Sequence, residues 1–477
     1  MTVGKLAVRG ILWMGAATYA NMLVTIATSI ALARLLDPRD FGVIAYAAFL
    51  LSVVGLVKEW GFDSALLHRQ DRLGEAIPTH FALHVIGSLL VLGLAVLLMP
   101  LAGRYKGWET AWVVVLLGLG LVFESGGATV RTLLEKEMAF RATGTVEFVS
   151  SLLANIAGVA YAALGGGLWS LVVLRVALAL FRTAGFWIVS STRFGPRLSP
   201  SMAWWYLRSF GLPIWLGGFF SIFTYQFDDF LVGSLVGLTE LGFYSKAFAM
   251  SLLPLSLTGV LSRVVSPIYS STQRDLGHLA RTFELAQGGK IRLVAPFVAI
   301  MWFGAFEFVI LVLGEKWLPM VPLLRVLLAY GLLRSVFDDT AALTTLGLGR
   351  PDYFFRIQVF QGISLVSLGP LLVWVWGAKG AAWVMTGMML CSVVLVWRLI
   401  AHRVPINVRE IVLNPMVSLT VASATVGVGM SVAAFDQPAL SFLYKGFLFA
   451  VAYAAVLLAL ERQRLARLLG TAWTLCR

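Results

Sequence analysis

Runs of about twenty apolar residues recur along the whole chain, and that is the length a helix needs to cross the ~30 Å hydrocarbon core of a bilayer. Backbone polar groups find no water there, so such a chain must fold as a bundle of membrane helices. Marking the runs between charged or Gly/Pro breaks predicts fourteen spans, near residues 11–33, 41–57, 79–102, 108–130, 146–168, 169–190, 209–236, 241–268, 291–313, 318–343, 353–376, 378–400, 412–434 and 439–460. The second is short and the fifth and sixth are parted only by Gly165-Gly166-Gly167, so the expected number is twelve to fourteen.

Of the 477 residues, 59% are hydrophobic and 13% charged, where a soluble domain carries roughly 25% charged residues. That balance excludes a soluble enzyme, a secreted disulfide scaffold and a disordered protein. Two cysteines, Cys391 and Cys476, supply neither a disulfide framework nor a cysteine metal site. Lys5 and Arg9 ahead of the first run, with Ala31-Leu32-Ala33 near its end, copy a signal peptide superficially. The run far exceeds the ~7–15 apolar residues of a signal core, so it reads as the first span.

The net charge is +13, but Lys and Arg punctuate the apolar runs instead of clustering on one soluble face as in a nucleic-acid binder. With the N-terminus inside, 24 basic residues fall on the inner side, and seven, among them Arg34, Arg39, Lys106 and Lys445, on the outer. That asymmetry is the one that orients membrane proteins, and it places both termini in the cytoplasm. Inner loops 58–78, 131–145, 191–208 and 269–290 are expected to form short amphipathic helices at the interface.

An internal repeat at an offset of two hundred residues organises the spans. Arg34-Leu35-Leu36-Asp37-Pro38-Arg39-Asp40-Phe41-Gly42 joins spans one and two, and Ser234-Leu235-Val236-Gly237-Leu238-Thr239-Glu240-Leu241-Gly242 joins spans seven and eight. Leu35/Leu235, Asp40/Glu240, Gly42/Gly242 and Ala47/Ala247 match without a gap, and Phe140-Arg141 is echoed by Phe355-Arg356. The expected architecture is all-α: a six-helix lobe at 1–190, a linker at 191–208, a second six-helix lobe at 209–400, and two further helices with a basic tail at 401–477. Six is even, so the lobes are parallel repeats, an arrangement suited to alternating access.

Polar residues mark the faces that meet. Thr18, Asn21, Thr25 and Thr28 fall on one face of span one, because steps of three and four residues share a helical face. At the same offset, span seven carries Ser221, Tyr225 and Asp228, and Lys246 takes the position of Tyr46. Such residues also serve as bonds between or within helices; their coincidence in both halves favours a wet cavity.

Six basic residues fall inside predicted spans: Arg175, Arg182, Lys246, Arg263, Arg325 and Arg334. Each costs roughly 2.5–3.5 kcal/mol near the bilayer centre, so they must snorkel, pair or line water. Arg182, Arg263 and Arg325 lie close enough to an interface to snorkel, and Arg334 has Asp338 four residues on, the spacing of an intrahelical pair. Asp228-Asp229 suits either a gate that pairs with Lys246 or Arg175, or a carboxylate pair coupling transport to protons or a cation. The basic excess suits an anionic cargo, since guanidinium and ammonium groups bind phosphate. The candidate cargo residues are therefore Arg175, Arg182, Lys246, Arg263, Asn21, Tyr46 and Tyr225, with Asp228 and Asp229 for coupling or gating.

Enzyme signatures are not found. The chain lacks a phosphate-binding Gly-x-x-x-x-Gly-Lys-Ser/Thr loop. His80 and His84 stand four apart, but Phe81-Ala82-Leu83 between them lacks the Glu of a zinc-hydrolase helix, so no metal site is expected there.

Ala33 to Gly42, Asp228 to Gly233 with Leu241-Gly242-Phe243-Tyr244-Ser245-Lys246-Ala247, Gly314-Glu315-Lys316-Trp317 before Pro322-Leu323-Leu324-Arg325, and Gly347-Leu348-Gly349-Arg350-Pro351 resemble the polysaccharide-transport branch of the multidrug/oligosaccharidyl-lipid/polysaccharide (MOP) superfamily, in particular Wzx-type O-antigen and exopolysaccharide flippases. The resemblance implies a polyprenyl-pyrophosphate-linked oligosaccharide as cargo, flipped across a bacterial inner membrane for polymerisation and export, with polymerase or export machinery as partners. It implies no cofactor beyond an ion gradient, and no catalytic motif to carry over. Competing expectations are a drug/cation antiporter or a lipid-II flippase of the same superfamily. From another class, a membrane polysaccharide polymerase or ligase would show a long outer loop, which this sequence lacks.

Overall fold

Several of the apolar runs end at a proline or glycine turn, and the helices break there. The computed structural model describes residues 3–58, 60–273, 275–404, 407, 409–432 and 435–475. Helix α1 (Val3–Leu35) gives way to α2 (Pro38–Gly55) at Asp37. Pro38 occupies the first turn of α2, where its missing N–H costs nothing, and Asp40 Oδ2 accepts from the Asp37 N–H at 3.2 Å. A short α3 (Phe62–His68) leads to α4 (Leu73–Lys106) and α5 (Trp108–Lys136), which meet at Gly107 with φ 89°. Next come α6 (Phe140–Ala163) and α7 (Trp169–Val189). They part at the triple glycine, where Gly165 and Gly167 take positive φ, a conformation glycine adopts without steric cost.

The chain divides into two compact units, Met1–Gly242 and Phe243–Arg477. In the first, α1 packs on α6, α6 on α7, and α5 on both α4 and α7. Leu32, Val43, Ala47, Val91, Val113 and Val172 form its core. Small residues set the spacing: a Cβ on Gly127 would stand 3.0 Å from the Thr183 Cα. Helix α8 (Pro200–Tyr206), α9 (Leu212–Tyr225) and α10 (Phe227–Leu235) complete this unit, together with the start of α11 (Leu238–Ser251).

The second unit continues through α12 (Leu253–Ser271), α13 (Leu276–Phe303), α14 (Ala305–Val312), α15 (Val321–Ala342), α16 (Pro351–Trp376), α17 (Ala378–Ala401), α18 (Asn414–Val432) and α19 (Pro438–Leu475). Helix α15 packs on α13 and α17, and α16 on α17. The last two helices pack on each other and against α13. There Arg292 Nε donates to Glu461 Oε2 at 2.9 Å, and Asn414 lies 3.4 Å from the same carboxylate. Leu97, Ile188, Trp374 and Phe447 are exposed apolar side chains of the kind that a bilayer covers.

Among the described residues no strand forms, and eleven helices are long and apolar enough to cross a membrane, twelve if α13 and α14 count as one span bent by 78°. The chain is thus a multi-pass, all-helical membrane protein. The expected fourteen are reduced by two because residues 209–236 and 241–268, read as single spans, are each broken. The first breaks at Gln226 between α9 and α10; the second breaks at Leu252, ahead of Pro254. Proline has no N–H to give and its ring clashes with the preceding turn. The break presses the Ser251 carbonyl onto α15, where a Cβ on Gly331 would come within 1.9 Å of it. Two loops are also shorter than the hydropathy suggests. Helix α5 runs on to Lys136 and α13 already starts at Leu276, since a helix continues on charged residues once it has left the lipid.

Candidate functional site

Helix α7 carries two of the expected cargo residues, and the structure treats them differently. Arg175 is exposed, and its guanidinium makes no hydrogen bond or ion pair among the described residues. Arg182 does not simply reach for the interface. One of its Nη atoms lies 2.9 Å from Glu147 Oε2 on α6, and the other 3.5 Å from Glu124 Oε1 on α5. The pair of carboxylates explains how a cation is tolerated there and corrects the snorkelling expectation.

On α1, Asn21 is half-buried and its Oδ1 is buried without a hydrogen-bond donor among the described residues. Thr25 is exposed and Thr28 buried, so the stripe runs from an open surface into packing. Tyr46 on α2 is buried, with its hydroxyl 3.1 Å from Ser234 Oγ at the end of α10, and its ring stacks on Phe230. Lys106 donates to the Ser234 carbonyl at 3.1 Å.

The repeated loops meet beside this contact. A Cβ on Gly42 would fall 1.7 Å from the Leu238 carbonyl oxygen, and one on Gly242 would fall 1.8 Å from that of Pro38. The two contacts exchange under the offset of two hundred. Only a residue without a Cβ permits so close a backbone approach, which is why both members of the repeat are glycine.

Tyr225 closes α9. Asp228, buried, and Asp229 open α10 after the break at Gln226. They therefore do not lie mid-helix as the sequence suggests; they stand in a first turn, where unpaired backbone N–H groups favour negative charge. In the second unit Lys246 on α11 is buried, 5.8 Å from the centre of the Trp317 ring. The side chain of Arg263, and that of Asp338 expected to pair with Arg334, lie outside the described residues. Arg325 donates from Nε to the Trp302 carbonyl at 3.3 Å and lies over that ring.

Lys290 and Gln287 were not singled out by sequence, and Glu307, one of the four acids expected within spans with Glu124, Asp228 and Asp229, had no partner assigned. Lys290, counted as a loop residue, is buried on α13 and bonds Ser262 of α12. Glu307 of α14 pairs with Lys445 of α19 and accepts from Ser441 at 2.8 Å. Gln287 donates to the Val336 carbonyl at 2.7 Å. Each joins two different helices, from the consecutive α12 and α13 to α14 and α19, and spacing within one helix cannot reveal such a partner.

The His80/His84 pair on α4 gains a third group from α3. Asp63 Oδ1 lies 3.3 Å from Nε2 of each histidine, and Thr132 on α5 donates to the same oxygen at 2.9 Å. Burial alone would raise the Asp63 carboxyl, but the two facing imidazoles outweigh it and hold the group well below the ordinary carboxylate range. This end of the unit is also basic: Lys136 donates to the Leu66 carbonyl at 3.0 Å, and Arg69 lies over the Trp205 ring.

Residues 31–322 match the model of a family described as polysaccharide biosynthesis protein. The chain belongs to that family. Among its relatives is the succinoglycan biosynthesis transport protein ExoT of Rhizobium meliloti (strain 1021), 26% identical over 334 residues, which cover 68% of this chain and 66% of the relative. The chain thus spans just under two thirds of that protein's length. The lipopolysaccharide biosynthesis protein WzxC of Escherichia coli (strain K12) is 24% identical over 410 residues, covering 83% of this chain and 80% of the relative. In fold, the chain is similar to the lipid II flippase MurJ in its inward closed conformation. That match has a TM-score of 0.78 and 12% identity, and covers 95% of this chain and 100% of the other. An inward-facing multidrug resistance MATE family transporter of the MOP superfamily matches with a TM-score of 0.62 at 14% identity, over 80% of this chain and 95% of the other. The resemblance drawn from residues 33–42 and their companions is borne out.

Proposed function

We propose that the chain flips a polyprenyl-pyrophosphate-linked oligosaccharide across the bacterial cytoplasmic membrane, feeding polysaccharide synthesis and export. It acts as a transporter and catalyses no covalent step. Relatives named for succinoglycan transport and lipopolysaccharide biosynthesis support the cargo class. Within the chain, the carrying observation is Arg175, a cation in an apolar helix that makes no ion pair or hydrogen bond among the described residues, the Glu124 carboxylate acting on it only through space. A permanent charge there is costly unless water or an anion meets it, and a pyrophosphate is such an anion.

In this reading residues 1–190 and 209–400 are lobes joined by 191–208, with the broken segments 209–236 and 241–268 as the remaining two of fourteen spans. Residues 401–477 add a helix pair and a cytoplasmic tail. The reciprocal Gly42 and Gly242 contacts support a cycle in which paired loops close one end of the pathway and separate to open it. Such contacts hold by packing alone, so they break without stripping a charge of its partner. Arg175, Lys246 and Arg263 are assigned to the cargo phosphates, and Asn21, Tyr46 and Tyr225 to its sugars. Asp228 and Asp229, at a helix break of the kind that builds ion sites in transporters, couple the cycle to a proton or sodium gradient. Polymerase or export proteins receive the product.

The fold likeness to a lipid II flippase favours a second reading, with lipid II as cargo. Proteoliposomes containing labelled polyprenyl-pyrophosphate oligosaccharide, or labelled lipid II, and a membrane-impermeant quencher decide between them, with and without an ion gradient. Protein-dependent movement of the first cargo, lost in Arg175→Ala, is the expected result. Movement of lipid II alone transfers the protein to the second reading, and movement of neither overturns both.

A further inference from the structure

We propose that Asp63, His80 and His84 form a binding site for a divalent transition metal, with zinc the ion the donors suit best. Two imidazole nitrogens and a carboxylate oxygen are a common zinc set, leaving a fourth position for water. Their ligand atoms all lie within 4.8 Å of one another. Bonds of about 2.0–2.1 Å in a tetrahedron put neighbouring ligand atoms about 3.3 Å apart. Both Nε2 to Oδ1 separations are 3.3 Å. That is long for a hydrogen bond to a carboxylate, and neither Nε2 has a hydrogen-bond partner of acceptable geometry, although both atoms are buried.

The surroundings fit a metal as well as the donors do. His80 is fully buried, and its Nδ1 lies 2.9 Å from Thr129 Oγ1 on α5. With the Nε2 lone pair turned to a metal, Nδ1–H donates to that hydroxyl, the kind of outer bond that fixes a ligating histidine. Thr132 does the same for Asp63. The Phe62 ring stands edge-on to His84 at 5.8 Å, and Tyr206 lies 6.0 Å from His80, giving the pair an apolar wall. Asp63, by contrast, keeps 57% of its side chain exposed, which supplies an aqueous path for the ion and a place for the fourth ligand. The chain reaches this geometry through Gly61 at φ 62°, which turns α3 back onto α4. A metal here clips α3 to α4, with α5 behind it. The histidine spacing alone reveals two ligands, because the third comes from a separate helix.

The test uses the full chain, purified in detergent through a cleavable tag that contains no histidine, stripped with chelator and reloaded with Zn²⁺ or Co²⁺. Expected are one Zn²⁺ per chain by elemental analysis, tetrahedral-type visible bands with Co²⁺ that Zn²⁺ abolishes, and a rise in the unfolding temperature on adding Zn²⁺. His84→Gln and Asp63→Asn should each lose the Co²⁺ bands. Thr129→Val, which removes only the outer bond, should weaken binding about ten- to hundredfold. A wild-type chain that takes up no stoichiometric Zn²⁺ and gives no tetrahedral Co²⁺ bands overturns the site, leaving a histidine pair that merely shares a proton with Asp63. Zn²⁺ retained unchanged in His84→Gln overturns it too, by placing the ion elsewhere. Should a variant fail to fold, the wild-type Co²⁺ spectrum alone decides.

Discussion

Arg175 and Arg182 stand seven residues apart on α7, so they share a face about 10 Å apart along the axis. One makes no ion pair and feels Glu124 only through space, while the other is held between Glu124 and Glu147. The sequence separates them only by depth, with Arg182 nearer the interface; the difference in pairing comes from the neighbours. Acids from α5 and α6 come within ion-pair distance of the second arginine but not of the first. A paired cation is part of how the helices hold together; an unpaired one is available to something that arrives. The two arginines therefore separate stability from transport, and variants can test whether the separation is real.

The largest effect is expected at Arg175. A hydrogen bond to a charged group contributes about 1.5–3 kcal/mol, so Arg175→Ala should slow flipping roughly ten- to hundredfold, at unchanged protein level and unfolding temperature. Arg175→Lys keeps the charge and should recover part of the rate. Quencher accessibility in proteoliposomes reads the rate. A stable Arg175→Ala protein that flips at the wild-type rate would falsify the cargo role and erase the contrast.

Arg182→Ala should act on stability first. It takes the nearer cation from Glu147, which keeps Arg131 at 3.9 Å, and the only ion pair among the described residues from the partly exposed Glu124; removing one partner of a buried pair costs about 3–5 kcal/mol, and the partial exposure of this one reduces that to roughly 2 kcal/mol. Thermal unfolding in detergent should show the loss. The sharper arm is rescue: adding Glu147→Gln and Glu124→Gln to Arg182→Ala removes the stranded charges and should restore most of the lost stability. If the triple variant is as unstable as the single one, the arginine is doing something other than neutralising acids.

What the sequence made legible follows from which forces act locally. Run length alone marks a span, because the bilayer fixes it, and the turns at Asp37-Pro38, Gly107 and Gly165 to Gly167 announce themselves by residue type. The breaks at Gln226 and Leu252 did not, since an apolar helix that breaks and resumes has the same hydropathy as one that runs through. Among the site residues, burial cost flagged both Arg175 and Arg182, with Arg182 expected to escape to the interface. Its pairing was invisible because α5 and α6 supply the acids. Asp63 was hidden for the same reason. The offset of two hundred, in contrast, correctly singled out Gly42 and Gly242, whose role needs only the absence of a side chain.

Asn21 extends the comparison to an uncharged group, where the expected effect is smallest. Its Oδ1 is buried without a donor among the described residues, while Ser88, an equally polar residue between helices, bonds Ser125 at 2.9 Å. An unsatisfied buried acceptor costs stability, so Asn21→Leu should leave the fold at least as stable as before; Ser88→Ala should destabilise it by about 1 kcal/mol. If sugar hydroxyls donate to Asn21 during transport, the same Asn21→Leu change should slow flipping about fivefold, the equivalent of one neutral hydrogen bond. A flipping rate that is unchanged, with stability raised, would mean that the polar stripe of α1 carries no cargo and that the distinction between paired and unpaired groups holds only for the charged ones.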